Sequence, residues 1–255
     1  MSCPVILNKK NNAIASSKCA FRIISDIIIS KNGLYTIILH NKMSLIPKLL
    51  RFAVLSINSF RIDESHGIFH SMNVLHHSHN ILQSELPRNP FLENHRNIIY
   101  TSAILHDICD KKYVDQHDGV NYIKCFLEKE TNLTDNEIEV SINIMETMSY
   151  STVKQNGYPD LGPYQLSYHI VREADLLAAY EFDRSVVYNM NNVDPLFTHS
   201  MMNALDLFDN RVFRHNADNL FVTDYSKELS QILEQQSLQR IRSWESILDS
   251  VHKKT

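Results

Sequence analysis

The stretch Asn97-Ile-Ile-Tyr-Thr-Ser-Ala-Ile-Leu-His-Asp-Ile-Cys-Asp110 is apolar on nearly every side until its end. A helix of that character needs neighbours all round it, so the stretch predicts a central, buried helix over 98–109. Asn94 is placed to cap it. Polar groups carried into such an interior are costly unless they are paired or bound to a metal. His106, Asp107 and Asp110 are carried there, and an imidazole beside a carboxylate in that setting is a metal-site candidate. The dipeptide alone is a weak signal, because His117-Asp118 repeats it elsewhere in the chain.

The flanking sequence supplies the helices that such a core needs. Leu45, Leu49, Phe52 and Leu55 recur at spacings of three and four. A second helix is expected over 67–83, with Met72, Leu75 and Leu82 on one side and Val74 and Ile81 on another. Pro87 and Pro90 end it. Thr134-Asp-Asn-Glu137 has capping-box spacing ahead of Ile138, Ile142 and Met145. A further helix is expected over 164–182, and another in the C-terminal part, where Ile241, Trp244, Leu248 and Val251 share a face. Five glycines and seven prolines in 255 residues fit long helices with few turns. Residues 43–255 therefore read as one all-α domain. Residues 1–42 differ: two Ile-rich runs flank Asn32-Gly33, a β-hairpin signal. They form an N-terminal extension, or Met43 is the natural start.

Several classes of partner are disfavoured. The 25 basic and 29 acidic residues are well mixed, which leaves no basic footprint for nucleic acid and no polybasic membrane anchor. No run of about 18 apolar residues spans a bilayer. Cys3, Cys19, Cys109 and Cys125 lack paired spacing, which fits reduced thiols and a cytoplasmic location. The sequence is compatible with an oligomer and does not require one.

Four polar residues fall in segments that also supply core side chains: His70, His106, Asp107 and Asp175. Two imidazoles and two carboxylates suit one divalent ion, Mn²⁺, Fe²⁺, Co²⁺ or Mg²⁺, better than a structural zinc. One geometric difficulty follows. Neighbours on a helix face different ways, so His106 and Asp107 share an ion only at a helix edge.

His70-Ser-Met-Asn-Val74, Ala103-Ile-Leu-His-Asp-Ile108 and Glu173-Ala-Asp175 together resemble the H…HD…D pattern of the HD-domain metal-dependent phosphohydrolases. The resemblance covers roughly residues 62–190. It implies a helical bundle with metal ligands His70, His106, Asp107 and Asp175. Asp63-Glu-Ser-His66, Asp110-Lys-Lys112 and Met148-Ser-Tyr-Ser151 resemble the small bacterial branch typified by the YpgQ and YedJ proteins, which implies hydrolysis of a nucleotide or related phosphate ester. The resemblance gives Asp110 one of two roles, activating the water or orienting His106. Lys112 and Arg184 are candidate phosphate clamps, and His66 is a candidate substrate contact. Asp110-Lys111 stands where the guanosine-alarmone hydrolases carry Glu-Asp, and the extra histidines of the cyclic-dinucleotide branch are missing.

Two functions of different class follow. One is a phosphohydrolase acting on a small phosphate substrate through a metal-activated water. The other is a non-catalytic binding module that uses the metal to brace the bundle. Metal-dependent turnover separates them.

Overall fold

The computed structural model describes residues 44–252. The expected N-terminal hairpin lies outside the described residues. Among the described residues ten α-helices follow one another: α1 (Leu45–Phe60), α2 (Ile68–Glu85), α3 (Arg96–Leu105), α4 (Gln116–Glu130), α5 (Asp135–Thr147), α6 (Tyr150–Asn156), α7 (Gln165–Ala178), α8 (Phe182–Asn192), α9 (Phe197–Asn210) and α10 (Asp224–His252). Among the described residues there is no strand, and no helix is long and apolar enough to cross a membrane.

Helix α3 is the axis of the bundle. Every residue from 98 to 105 is buried. It packs against α1, α2, α5 and α7, as its all-round apolar character requires. It also joins two halves of the core. Ile98, Ile99, Tyr100 and Ala103 pack with Val74, Ile81, Tyr168, Leu177, Phe182 and Phe208. Ile104 and Leu105 pack with Leu49, Phe52, Ile123, Phe126 and Ile142.

Local sequence sets several element ends. The Thr134 hydroxyl accepts from the Glu137 N–H, and the Glu137 carboxylate accepts from the Thr134 N–H, so the capping box opens α5 as expected. Gly119 sits in the first turn of α4 against Cys109. A Cβ there would lie 3.0 Å from the Cys109 Cβ and 3.1 Å from its Cα. A Cβ there would need these neighbours to give by a few tenths of an ångström, so glycine suits the close approach of α4 to the turn that carries Asp107 and Asp110.

Helix α7 is tied to the start of α10 through a buried acid. Glu173 is fully buried, and it accepts hydrogen bonds from the Val222 N–H at 2.6 Å, the Thr223 N–H at 3.2 Å and the Thr223 hydroxyl at 2.6 Å. Arg172, also buried, lies 3.3 Å from the same carboxylate. Burial pushes the Glu173 pKa up despite these partners.

Four expectations need correction. Helix α3 ends at Leu105, not at 109, and residues 106–109 form a turn. Asn94 does not cap it, since it lies in the 3-10 turn Pro90–His95. Met72 is 49% exposed, although Leu75 and Leu82 on the same side of α2 pack in the core. The helix expected over 164–182 is two helices: α7 stops at Ala178, and Phe182 opens α8.

Candidate metal centre

Three elements deliver four side chains to one point. His70 projects from the first turn of α2 and Asp175 from the last turn of α7. His106 caps the C-terminus of α3, and Asp107 follows on the turn. The early end of α3 removes the difficulty of two helical neighbours facing apart, because Asp107 is already off the helix. His70 Nε2 lies 3.2 Å from His106 Nε2, 3.3 Å from Asp107 Oδ2 and 3.2 Å from Asp175 Oδ1. His106 Nε2 lies 3.2 Å from Asp107 Oδ2 and 3.7 Å from Asp175 Oδ1.

Hydrogen bonds fix how the rings are presented. His106 Nδ1 donates to the Ala103 carbonyl at 3.0 Å, which turns Nε2 toward the cluster. Arg184 Nη1 lies 3.0 Å from His70 Nδ1 and 2.9 Å from the Ser65 carbonyl oxygen. A guanidinium only donates. His70 Nδ1 is therefore the acceptor, and the His70 proton sits on Nε2, facing Asp175; holding an ion through Nε2 would need that proton moved to Nδ1 and Arg184 turned away from it.

The charges are strongly coupled. Burial opposes charge on His106, but Asp107 and Asp175 outweigh it and push its pKa up to about 9. Burial, with Arg184 close by, holds His70 below the usual imidazole value. Burial raises both carboxylates, yet the imidazoles hold Asp107 and Asp175 below their ordinary range.

Asp107 Oδ2 supplies the test of whether this set suits a cation. It is buried, faces two imidazole nitrogens, and has no hydrogen-bond partner of adequate geometry among the described residues. A buried carboxylate oxygen in that position is costly unless a cation meets it; the charged His106 imidazole does so from 3.2 Å, and a divalent ion would take its place. The donor set of two nitrogens and two oxygens fits a divalent ion.

A second set of groups adjoins the first. His66 and Asp110 bring donor atoms within 4.8 Å of one another and of Asp107. Ser65 Oγ and, at 2.5 Å, the Tyr113 hydroxyl both donate to Asp63. Their lone pairs then face His66 Nδ1 at 2.8 and 3.1 Å, so Nδ1 carries the proton and Nε2 opens toward Lys112. The Lys112 ammonium lies 3.4 Å from His66 Nε2 and 3.4 Å from Asp110 Oδ2. Burial lowers the His66 pKa.

The two sets adjoin in one cavity of about 510 Å³, with Asp63 and Tyr113 behind its wall. It holds His66, His70, His106, Asp107, Asp110, Lys112, Asp175 and Arg184, the complete set picked out in the sequence. Asp110 reaches it from the turn after α3, not from a shared helical face. The decoy pair His117-Asp118 lies on the surface, with the His117 side chain 84% exposed. Sequence reasoning names Asp63 and Tyr150 only within motifs quoted for the resemblance, and it misses Tyr113 behind His66 and Tyr188 and Arg211 in the cavity wall. For Arg211 the sequence holds no signal.

No family model, curated protein or solved structure matches the chain.

Proposed function

We propose that this chain is an HD-type metal-dependent phosphohydrolase acting on a nucleotide or a similar small phosphate ester. The observation that carries the reading is the unbonded, buried Asp107 Oδ2, set among His70, His106 and Asp175 at the base of a cavity that also presents cations.

His70, His106, Asp107 and Asp175 would hold the ion. A mixed N/O set of this kind suits Mn²⁺, Fe²⁺, Co²⁺ or Mg²⁺. When bound, such an ion supplies Lewis acidity and a water of lowered pKa. The remaining work belongs to the chain. Asp110 sits beside the ligand set with Oδ1 accepting the Lys112 N–H at 2.8 Å, which fixes the carboxylate on the turn. Its role is to take the proton of the attacking water. Lys112 places its ammonium between His66 and Asp110 at the cavity wall, where it balances charge on phosphoryl oxygens. His66, with its tautomer set through Ser65 and Tyr113, offers Nε2 to the same place. Arg184 lies behind His70 in this arrangement and reaches a substrate only by releasing Nδ1 or through its remaining N–H groups.

The absence of a basic surface bias in the sequence favours small substrates over nucleic acid. Nucleoside phosphates are preferred to guanosine alarmones and cyclic dinucleotides, on the Asp110-Lys111 pair and the missing extra histidines. The test is a hydrolysis screen over nucleotides and sugar phosphates, run on chelated protein and after each divalent ion is returned. Ion-dependent turnover that Asp107→Ala abolishes supports the reading. An ion held tightly with no turnover of any phosphate ester removes it and leaves a metal-braced binding module.

A further inference from the structure

A second cavity, of about 180 Å³, lies between α6, α7 and the segment that leads into α10. Met148, Val153, Leu176 and Leu220 make most of its wall apolar. It shares Met148, Tyr150 and Leu176 with the large cavity, and none of the groups proposed to hold the ion or to meet a phosphate.

One part of the wall is a buried cation. Arg172 is 2% exposed, and its guanidinium lies 4.9 Å from the centroid of the Tyr158 ring. Its polar contacts all leave through one nitrogen. Nη2 donates to the Leu220 carbonyl, and lies 3.3 Å from the Glu173 carboxylate and 3.5 Å from His169 Nδ1. Nε is buried and donates to nothing among the described residues. Glu173 is not free to turn toward it, because Val222 and Thr223 already hold both carboxylate oxygens. A buried charged donor without an acceptor is costly, and a ligand that brings an acceptor removes the cost. Asp218, the acid in this wall, lies 3.4 Å from Arg214, while Lys154 adds a second cation. The wall therefore favours one negative charge on an apolar body.

Size narrows the class further. A cavity of about 150 Å³ takes a benzene-sized guest, so this one takes a single ring or a short branched chain. A phosphate would leave the four apolar side chains uncovered, and an uncharged ring would leave Arg172 Nε unmet.

We propose that this cavity is a binding site for a small apolar monocarboxylate, an aromatic or branched-chain acid. Its carboxylate lies against Arg172, and its ring or branched chain packs among Met148, Val153, Leu176 and Leu220. The site does not depend on the phosphohydrolase reading.

The test uses the full chain, with benzoate and its uncharged counterpart benzyl alcohol as probes. Methyl NMR spectra of the wild-type chain locate the ligand. Benzoate should shift the methyls of Val153 and Leu220, which line this cavity and not the large one. It should bind about tenfold or more tightly than benzyl alcohol, as expected for one charge-assisted contact. Val153→Phe should weaken benzoate binding by about tenfold or more, because the ring fills the space the ligand needs. Arg172→Gln should bring the two probes within about twofold of each other, with the helical signal as the control for folding. Arg172 also ties α7 to Leu220; if the Gln variant does not fold, the wild-type spectra and Val153→Phe decide the matter. Four results overturn the site: no saturable benzoate binding, shifts confined to Leu207 and Val212 of the large cavity, equal affinity for the two probes, or a folded variant that binds as the wild type does.

Discussion

Raising the pH should tighten metal binding, and the structure gives the size of the effect. His106 Nε2 points at two carboxylate oxygens, 3.2 Å away on Asp107 and 3.7 Å away on Asp175. They push its pKa up to about 9 against the pull of burial. A proton and a metal ion compete there for the same lone pair. At pH 7, two units below that pKa, only about 1% of the imidazole is free, a cost of about 2.7 kcal/mol. The apparent affinity at pH 7 should then be about a hundredfold below its limit above pH 9, rising about tenfold per pH unit between them. The other ligands add little to the slope. His70 is held below its usual value, and both carboxylates are held low, so none of the three carries an extra proton to expel near neutrality. About one proton should leave per ion bound. Mn²⁺ competition against a chelator from about pH 6 to about pH 8 measures the slope, and calorimetry in two buffers of different ionisation enthalpy counts the proton. A flat affinity across that range, or no proton released, would refute the charge assignment at His106.

Other perturbations separate the roles of neighbouring groups. Asp107→Ala should lose the ion and all ion-dependent turnover while keeping the helical circular dichroism, because Asp107 lies on the turn beyond α3 and not within a helix. Asp110→Asn should retain the ion and lose about a hundredfold or more in turnover, since an amide keeps the shape without accepting a proton; loss of metal in that variant would make Asp110 a ligand instead. Gly119→Ala should cost about 1–3 kcal/mol in urea unfolding through overpacking on Cys109, and an unchanged midpoint would show that α4 shifts freely. His215 is fully buried and held down to about 3, chiefly by burial. Its folded pKa lies below the unfolded value, so its contribution to stability is whole above about pH 6.5 and fades as the pH falls. Between pH 7 and pH 5 the wild-type chain should therefore lose about 2 kcal/mol more than His215→Leu, and parallel losses in both proteins would count against a neutral buried imidazole.

Much of the bundle was legible because burial on a helix leaves a period. Leu49 and Phe52 on α1, and Ile81 and Leu82 on α2, are buried where the spacing of three and four placed apolar faces. The capping box at Thr134 was legible because both its bonds are local. The end of α3 was not. Ile108 and Cys109 are as apolar as the residues before them and are equally buried, so the pattern runs on while the backbone turns. The site divides in the same way. His70, His106, Asp107 and Asp175 stood out as polar residues in apolar company, a local contrast. Arg211 had no such contrast, since an arginine after a helix is ordinary, and only the antiparallel pairing of α8 with α9 carries it to the cavity. The support behind His66 was hidden too, because Tyr113 lies about fifty residues from Asp63 in sequence.

The tie between Glu173 and Thr223 bears on the order in which the chain is made. His70, His106 and Asp107 emerge from synthesis well before Asp175, and the segment that anchors the helix bearing Asp175 comes later still, at Val222 and Thr223. A nascent chain thus exposes three of the four side chains before the fourth is held in place, and the cluster is finished by residues that follow Asp175 in the chain. An ion captured early would meet an incomplete, weaker set, so in the proposed metal centre selection among metals would wait until α10 docks on α7.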